Sequence, residues 1–171
     1  MKVSKELACV MVVAGLLSVG CGSIYYAPTT SSVATLRVTN ESALGAAGGG
    51  IYDNPDCIGG KAFGFNTAAP GQSLELAVDA GSPMTLVVDG DRGSDIRLRG
   101  GIVDKAEIRR CAAPARFTPL PAGKYEAVFA DDGRQCRVQL FDISTGSRRS
   151  VTYQPLVWGR ASPTLARRPR C

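Results

Sequence analysis

The segment Ser73-Leu-Glu-Leu-Ala-Val-Asp79 places Leu74, Leu76 and Val78 at alternate positions along the chain. Successive side chains of a β-strand point to opposite faces of a sheet, so this spacing predicts a strand with one buried face and one wet face. Leu36 and Val38 alternate with Thr35, Arg37 and Thr39 in the same way. Alternation of this kind is typical of antiparallel sheets that are solvated on one side.

Further strands are predicted from apolar alternation or from short apolar runs at 84–88, 96–102, 113–117, 125–129, 138–140 and 151–153. Segments rich in Gly, Pro, Asp and Ser separate them and predict turns at 89–93, 119–123, 131–133 and 145–147. Only residues 104–110 favour a helical turn. About seven to eight short strands with almost no helix predict an all-β fold, namely an antiparallel β-sandwich, with a small β-barrel as the alternative.

Residues 43–50, Ala-Leu-Gly-Ala-Ala-Gly-Gly-Gly, offer little side-chain surface for packing, and we predict a flexible link there.

The run from Phe117 to Phe129, Phe-Thr-Pro-Leu-Pro-Ala-Gly-Lys-Tyr-Glu-Ala-Val-Phe, resembles the hairpin with a Pro-x-Gly-x-Tyr core of transthyretin-like and other immunoglobulin-like envelope domains. The resemblance covers thirteen residues, and it implies an immunoglobulin-like sandwich. Independently of it, the prolines and Gly123 indicate a tight turn, and Tyr125 begins a row of inward-facing side chains.

The first twenty residues have the three parts of an export signal: Lys2 and Lys5, an apolar stretch from Leu7 to Val19, and the small residue Gly20. The segment Leu17-Ser-Val-Gly-Cys21 resembles the lipobox of bacterial lipoproteins. That resemblance implies cleavage before Cys21 and lipidation of its thiol, so that acyl chains anchor the protein to a membrane. Ordinary secretory cleavage at this site, and an uncleaved membrane-spanning helix, are the alternatives.

The predicted organisation is a signal peptide at 1–20, a lipidated tether at 21–33, a β-sandwich domain at 34–155 and a basic, flexible C-terminal tail at 156–171. Gly22 after the lipidated cysteine favours, by analogy with Gram-negative lipoproteins, the outer membrane, with the domain facing the periplasm.

Charge points to no polyanionic partner for the domain itself. The full chain has 20 Lys and Arg against 15 Asp and Glu, and removal of Lys2, Lys5 and Glu6 lowers the net charge from +5 to +4. Much of that excess lies in the tail, at Arg160, Arg167, Arg168 and Arg170. The tail is interpreted either as a solvated terminus or as a contact with anionic lipid or cell-wall polymer; we expect no nucleic-acid partner.

The mature chain retains four cysteines, an even number that predicts disulfides in an oxidising compartment: Cys57, Cys111, Cys136 and Cys171. Three connectivities are open. We favour Cys111–Cys136, because the two residues enclose a strand, a turn and a return strand; Cys57 then pairs with Cys171, or both stay free. No pair has the close spacing of a zinc site, and no metal is expected.

The chain contains no histidine, which excludes Ser/His/Asp and Cys/His catalysis and histidine metal sites. We expect no catalytic residues, no cofactor and no enzymatic activity. The alternatives are a small-ligand or calcium-binding module, or a hydrolase that uses only carboxylates. Their candidate residues lie in two predicted loops, at 52–57 and 89–95: Tyr52, Asp53, Asp56, Asp89, Asp91 and Asp95. A disulfide-anchored loop with Asx turns and a solvated turn are the simpler interpretations of these segments.

Together, these patterns predict an envelope lipoprotein that acts without catalysis as an interaction or structural accessory. Its partners are then the membrane, through the N-terminal lipid, and an envelope protein or the cell wall.

Overall fold

The computed structural model describes residues 27–43, 45–63, 68–99 and 102–156, and for 94–99 and 102–108 it describes the backbone alone. Within these ranges the chain forms ten strands. They are β1 (Val33–Asn40), β2 (Ala47–Tyr52), β3 (Lys61–Ala62), β4 (Ser73–Asp79), β5 (Met84–Arg99), β6 (Ile102–Phe117), β7 (Lys124–Asp131), β8 (Cys136–Asp142), β9 (Arg149–Ser150) and β10 (Gln154–Pro155). The predicted signal peptide, Cys21 and the tail beyond Leu156 lie outside the described residues.

The strands form two packed sheets of five, and the all-β prediction is confirmed. The first sheet has the order β4-β1-β7-β8-β9 and the second the order β10-β6-β5-β2-β3. Every pairing is antiparallel except that of β1 with β7. The sheets do not close into a barrel, so the barrel alternative is wrong. The count exceeds the predicted seven to eight because β3, β9 and β10 have only two residues each.

The core lies between the sheets and is built by the predicted alternation. In β1, buried Leu36 and Val38 alternate with half-buried side chains, and β7 places Tyr125, Ala127 and Phe129 on the same inner face. The second sheet contributes an equivalent inner row, in which the least exposed residues are Leu86, Val88 and Ala115. Val151 and Tyr153 pack against this core but lie between β9 and β10 and not in a predicted strand of their own.

Two local predictions within β5 and β6 are wrong. Residues 89–93 do not form a turn: β5 continues through them, and a register shift between Asp91 and Ser94 absorbs Gly93, whose φ is +92°. The Asp91 carboxylate accepts a hydrogen bond from the Gly93 amide at 2.8 Å, as Asx turns do, within a bulged strand. Residues 104–110 are strand and not helix, because their backbone pairs with β5.

The glycine-rich segment 43–50 is not a flexible link, since residues 47–50 belong to β2, between β5 and β3. Close contacts at Gly49 explain why this strand uses so small a residue. A β-carbon there would lie 2.0 Å from the Val87 carbonyl oxygen and 2.7 Å from the Phe63 ring. The absence of side chains therefore allows the Phe63 ring and the β5 backbone to approach β2 closely.

The segment from Phe117 to Phe129 is a corner and not a hairpin, because β6 and β7 belong to different sheets. The predicted turn at 119–123 is present, with Ala122 at a φ of +57°. The Leu120 amide donates a hydrogen bond to the Tyr125 hydroxyl at 2.9 Å, and the Tyr125 ring packs edge-on against Phe117 with 5.4 Å between centroids. Tyr125 thus holds the crossing between the sheets in place.

The opposite end of the sandwich is held by a disulfide and an ion pair. Cys111 of β6 and Cys136 of β8 are joined by a disulfide, with 5.9 Å between their Cα atoms, which confirms the favoured pairing. Beside it, Arg92 donates two hydrogen bonds to the Asp131 carboxylate, at 2.6 and 2.7 Å. Both connections link the second sheet to the first.

Asn40, at the end of β1, fixes two loops near this end from a fully buried position. Its amide nitrogen donates to the carbonyls of Gly45 and Ala68, at 2.8 and 2.9 Å, and its side-chain oxygen accepts from the Ser42 amide at 2.9 Å. A buried polar side chain is tolerated here because all its hydrogen-bonding groups are used.

Candidate functional site

The predicted loop after β2 is ordered by Asn54. The Asn54 side chain accepts a hydrogen bond from the Ile58 amide at 3.1 Å and donates one to the Ile58 carbonyl at 2.8 Å. These two hydrogen bonds span residues 54–58, which include Cys57, whose φ of +52° lies in the left-handed region. Cys57 is disulfide-bonded, so the alternative in which it stays free is wrong. Its predicted partner Cys171 lies outside the described residues.

Asp53 and Asp56 are both exposed, and Asp53 borders a cleft. The cleft is lined by Asp53, Lys61, Asp79 and Met84, among others, and has a volume of about 50 Å³. Small-molecule sites are usually on the order of 300–1,000 Å³, so this cleft has room for water molecules and not for an organic ligand.

Asp89 and Asp91 lie on the outer face of β5, two residues apart along one strand. Asp91 uses its carboxylate for the Gly93 amide, as described above, and Asp89 lies 3.8 Å from the Arg110 guanidinium. Partial burial raises the pKa of Asp89, an effect that Arg110 opposes and the charge of Asp91 reinforces. Asp95 belongs to the part of β5 described by its backbone alone. In the described residues, no three His, Cys, Asp or Glu side chains are grouped closely enough to hold a metal ion.

Tyr52 and Asp89 are brought to the same face by the pairing of β2 with β5, although they belong to different predicted loops. Burial raises the pKa of the Tyr52 hydroxyl, and the Asp89 charge adds to the rise. The Tyr52 ring lies so close to Gly60 that a β-carbon there would be 2.1 Å from it. Tyr52 therefore packs against the sheet and does not project from a ligand-binding loop.

The first sheet carries a second group of charged residues that the sequence analysis missed. Glu126 of β7 is 5% exposed on the outer face, where it accepts hydrogen bonds from Arg148 at 2.7 Å and Thr39 at 2.8 Å. Burial alone would raise the pKa of Glu126, but the hydrogen bonds from Arg148 and Thr39 outweigh it and hold that pKa below its ordinary value. The one sequence signal for this group was the acidic residue Glu126, which lies between two apolar positions of a predicted strand.

An open groove of about 400 Å³ passes over Glu126 and is also lined by Arg37, Lys124 and Arg148. Two of its three cations are already paired within the protein, Arg148 with Glu126 and Arg37 with Glu75 at 2.8 Å. The groove is therefore a surface ion-pair network, and it leaves no group poised for proton transfer or nucleophilic attack.

The most distinctive feature is the outer half of the β5–β6 hairpin. β2 pairs with β5 only as far as Gly90, and β10 pairs with β6 only at Ala115 and Arg116. Beyond the Asp91–Arg110 pair, no strand among the described residues borders either β5 or β6. We call this two-stranded extension, residues 94–99 and 102–108, the arm. At about 3.3 Å per residue it projects roughly 20 Å past the sandwich.

The register of the arm places most of its apolar residues on one face and its paired charged residues on the other. Ile96 is opposite Ala106 and Leu98 is opposite Val103, whereas Asp95 is opposite Glu107 and Arg97 is opposite Lys105. Alternate residues of β5 share a face, so the first two pairs lie on one face of the arm and the last two on the other. A register shift between Arg97 and Leu98 leaves Asp104 of β6 unpaired within this ladder. The second face also carries Arg99, opposite Ile102, so its three basic residues outnumber its two acidic ones by a single charge.

The arm and the N-terminus of the domain lie at opposite ends of the sandwich. β1 begins at Val33, whose carbonyl accepts a hydrogen bond from Ala122 in the turn at 119–123. β1 then runs to Asn40, which lies opposite Phe129 near the Arg92–Asp131 ion pair. The arm extends from that second end, away from the point at which the predicted tether joins.

Comparison of the chain with protein families, curated proteins and solved structures finds no match. Among the described residues, no helix is both long enough and apolar enough to cross a membrane. The Cys111–Cys136 disulfide is typical of proteins that fold in an oxidising compartment outside the cytoplasm.

Proposed function

We propose that this chain is a lipid-anchored envelope protein that acts without catalysis, by binding another envelope protein through the arm. The observation that carries the proposal is the arm's amphipathic register on a ribbon that no other described strand borders. A two-stranded ribbon alone is marginally stable in water, and an apolar face gains stability when a partner covers it. The open strand edges add backbone groups that a partner strand can pair with.

A protein partner fits the arm better than a second copy of the chain does. The apolar face, about 20 Å long and two strands wide, offers on the order of 200 Å², so two facing copies would bury about 400 Å². Stable interfaces bury about 1,200 Å² or more. The partner must therefore also engage other surfaces, such as the strand edges.

Charge also favours a protein over anionic lipid or cell-wall polymer. Polyanion binding depends on an excess of cations that face the ligand. The charged face of the arm has the acidic Asp95 and Glu107 beside the basic Arg97, Arg99 and Lys105, so its excess is a single positive charge. A face that presents both acidic and basic residues is suited to a partner surface that itself has charges of both signs.

The lipobox-like segment at Cys21 supports the anchor, and an anchor there would leave the arm at the end of the domain farthest from the tether. Intact mass of the membrane-extracted protein tests this step. The expected mass corresponds to residues 21–171 with acyl chains, and Cys21→Ser should abolish both cleavage and acylation. An uncleaved chain, or a cleaved chain without lipid, would contradict the anchor.

The binding step is tested by shortening the arm. Replacing residues 94–108 with Asn-Gly ends the hairpin near the Asp91–Arg110 pair and keeps Arg92, which the core needs. We expect the variant to retain the Cys111–Cys136 disulfide and a cooperative thermal transition, and to lose the protein that crosslinks to the wild-type chain in membranes. Retention of that crosslinked protein would refute a role for the arm.

Point substitutions then separate the two faces. Ile96→Asn with Leu98→Asn makes the apolar face polar, and we expect at least a tenfold loss of the crosslinked protein. Arg97→Gln, on the charged face of the same strand, is the matched control and should reduce crosslinking only a few-fold. Equal effects of the two changes would contradict docking through the apolar face.

A further inference from the structure

The groove that passes over Glu126 on the outer face of the first sheet has an excess of positive charge. Among the described residues that line it, Arg37, Lys124 and Arg148 are basic and Glu126 alone is acidic, an excess of two positive charges. Clefts lined by one sign of charge attract ligands of the opposite sign. The volume of about 400 Å³ is within the range of roughly 300–1,000 Å³ that small-molecule sites have. The groove is therefore suited in charge and size to a small anion with an organic part.

Lys124 supplies a cation that has no acidic partner within the described part of the chain. Its side chain is exposed, and it lies two residues before Glu126 on β7, on the same face of the strand. Two residues of a strand span about 7 Å. An anion bound over Glu126 would thus gain the Lys124 ammonium without breaking an ion pair.

Arg148 is held in place but keeps hydrogen-bond donors for a ligand. Its Nε donates a hydrogen bond to Glu126 at 2.7 Å, and its guanidinium lies over the Phe141 ring, 5.5 Å from the centroid. The Glu41 carboxylate is 3.8 Å from Nη1, which is beyond hydrogen-bond distance. Since a guanidinium has several N–H donors and Glu126 uses one, Arg148 offers a fixed group that still has donors for an anion.

Arg37 lines the groove from β1 and is paired with Glu75. Its Nε and Nη2 both donate to one Glu75 oxygen, at 3.0 and 2.8 Å. The two side chains are 42% and 57% exposed. Ion pairs as exposed as this one contribute little to stability. An anion in the groove can therefore replace Glu75 as the partner of Arg37 at low cost.

The loop that follows β8 forms a fixed wall of the groove, which Ile143 and Gly146 line. The Ile143 amide donates a hydrogen bond to the Lys124 carbonyl at 2.8 Å, and the Lys124 amide donates one to the Ser144 hydroxyl at 2.9 Å. The Gly146 amide in turn donates to the Ile143 carbonyl at 3.0 Å. This wall is formed without a ligand, so binding requires little ordering of the chain.

We propose that the groove binds a phosphate monoester, with the phosphate between Arg37, Lys124 and Arg148 and its organic part against Ile143 and Gly146. A phosphate monoester carries about 1.5 to 2 negative charges at neutral pH, which matches the excess of two positive charges in the lining. Guanidinium groups also suit phosphate, because their N–H donors match two of its oxygens. The site lies on the first sheet, whereas the arm extends the second, so it does not depend on the role proposed for the arm.

Isothermal titration of glycerol phosphate into the full-length protein, in a non-ionic detergent and a phosphate-free buffer, tests the site. We expect saturable binding that Lys124→Ala weakens by about tenfold, because the ammonium makes a charge-assisted contact with the phosphate. Lys61→Ala removes an exposed lysine of the second sheet, and this matched control should bind as the wild type does. No saturable binding up to about 10 mM, or equal losses in the two variants, would overturn the proposal.

Glu75→Gln tests the exchange of partners at Arg37. Because this change removes the carboxylate that competes with the ligand, we expect the variant to bind glycerol phosphate about two- to threefold more tightly than the wild type. Binding weaker than that of the wild type would contradict the contact between Arg37 and the phosphate.

The same phosphate occurs on soluble esters and on lipid headgroups, and a second titration separates these sources. Phosphatidic acid with two short acyl chains carries the monoester of glycerol phosphate on a lipid. Binding at least about tenfold tighter than that of glycerol phosphate, and weakened by Lys124→Ala, identifies a headgroup. Binding of equal strength identifies a soluble ester. Failure of Lys124→Ala to weaken either ligand would overturn the site.

Glycerate, which has a carboxylate in place of the phosphate, tests the ligand class. We expect it to bind about tenfold more weakly than glycerol phosphate, because its single charge leaves half of the excess in the groove unmatched. Equal or tighter binding of glycerate would overturn the assignment to phosphate. Circular dichroism of each variant shows that the sandwich is intact.

Discussion

The Asp131 carboxylate of β7 accepts two hydrogen bonds from the Arg92 guanidinium of β5, and its side chain is only 1% exposed. Arg92 lies in the bulge between Asp91 and Ser94 of β5. This bulge lets β5 continue into the arm, and it also supplies Arg92 for the ion pair between the sheets. The Cys111–Cys136 disulfide lies beside this pair. The base of the arm is thus cross-connected by both a disulfide and an ion pair between the sheets.

Asp131→Ala should destabilise the protein by about 2–4 kcal/mol, because it leaves the Arg92 charge partly buried without its partner. Urea denaturation at neutral pH measures the loss. Glu75→Gln is the matched control: it removes a pair with Arg37 in which both side chains are largely exposed, and we expect a change below about 1 kcal/mol. Equal losses would show that burial of the Asp131 pair has no energetic consequence.

The same carboxylate predicts how stability depends on pH. The hydrogen bond from Arg92 is the main reason that the pKa of Asp131 lies below its ordinary value. Stability from a carboxylate whose pKa is lowered by folding is complete above the unfolded-state pKa and is lost as pH falls through the folded-state pKa. Stability should therefore decline below about pH 4, and Asp131→Asn should flatten that decline in urea denaturation measured from pH 6 to pH 2. An unchanged slope would assign the acid sensitivity to other groups.

Removal of the disulfide by Cys111→Ser with Cys136→Ser should cost roughly 3 kcal/mol, as the chain-entropy model gives for a loop of this length. The sequence separation of the two cysteines is 25 residues. Guanidinium denaturation of the oxidised wild type and of the double variant measures the difference. A loss below about 1 kcal/mol would mean that the ion pair and the core hold this end without the bond.

Gly49→Ala should destabilise the protein by more than 2 kcal/mol, since its β-carbon would overlap the Val87 carbonyl and the Phe63 ring. Gly81→Ala is the control: its φ is +86°, but no atom lies within 4 Å of the added carbon. We expect about 1 kcal/mol there, from backbone strain alone. Thermal unfolding compares the two, and equal losses would contradict the close packing of β2.

Asn40→Ala should cost about 2–4 kcal/mol, because the carbonyls of Gly45 and Ala68 and the amide of Ser42 would lose their buried partner. Urea denaturation measures this loss. Asn54→Ala, which removes two hydrogen bonds to Ile58 at a partly exposed position, should cost about 1 kcal/mol. A neutral Asn40→Ala would show that water replaces the side chain.

Alternation along single strands was sufficient to predict the fold class, because the core rows of β1, β4, β7 and β8 follow a period of two. Glycine content misled in two places. Residues 43–50 and 89–93 look like links or turns, but in both the glycines permit close packing or a bulge inside a strand. Such outcomes depend on the partner strand, here β5 for Gly49, and single-strand patterns contain no information about it.

The candidate site was less predictable for the same reason. Asp53, Asp56, Asp89 and Asp91 stand out as residue types. The structure brings Asp89 near Tyr52, whereas Asp91 binds the Gly93 amide and Asp53 and Asp56 are exposed. Glu126 and Asp131 were missed because their partners, Arg148 and Arg92, lie 22 and 39 residues away. The arm was not predicted because residues 104–110 were interpreted as a helical turn, whereas their backbone pairs with β5.

Photocrosslinking from the arm tests the central claim most directly. A photoreactive amino acid is placed at Ile96, on the apolar face of the arm, or at Thr145, in the turn at the other end of the first sheet, and the full-length protein is irradiated in membranes. We predict one discrete protein adduct from position 96 that disappears when Leu98→Asn is added, and no such adduct from position 145. Equal adducts from both positions, or none from position 96, would contradict binding through the arm.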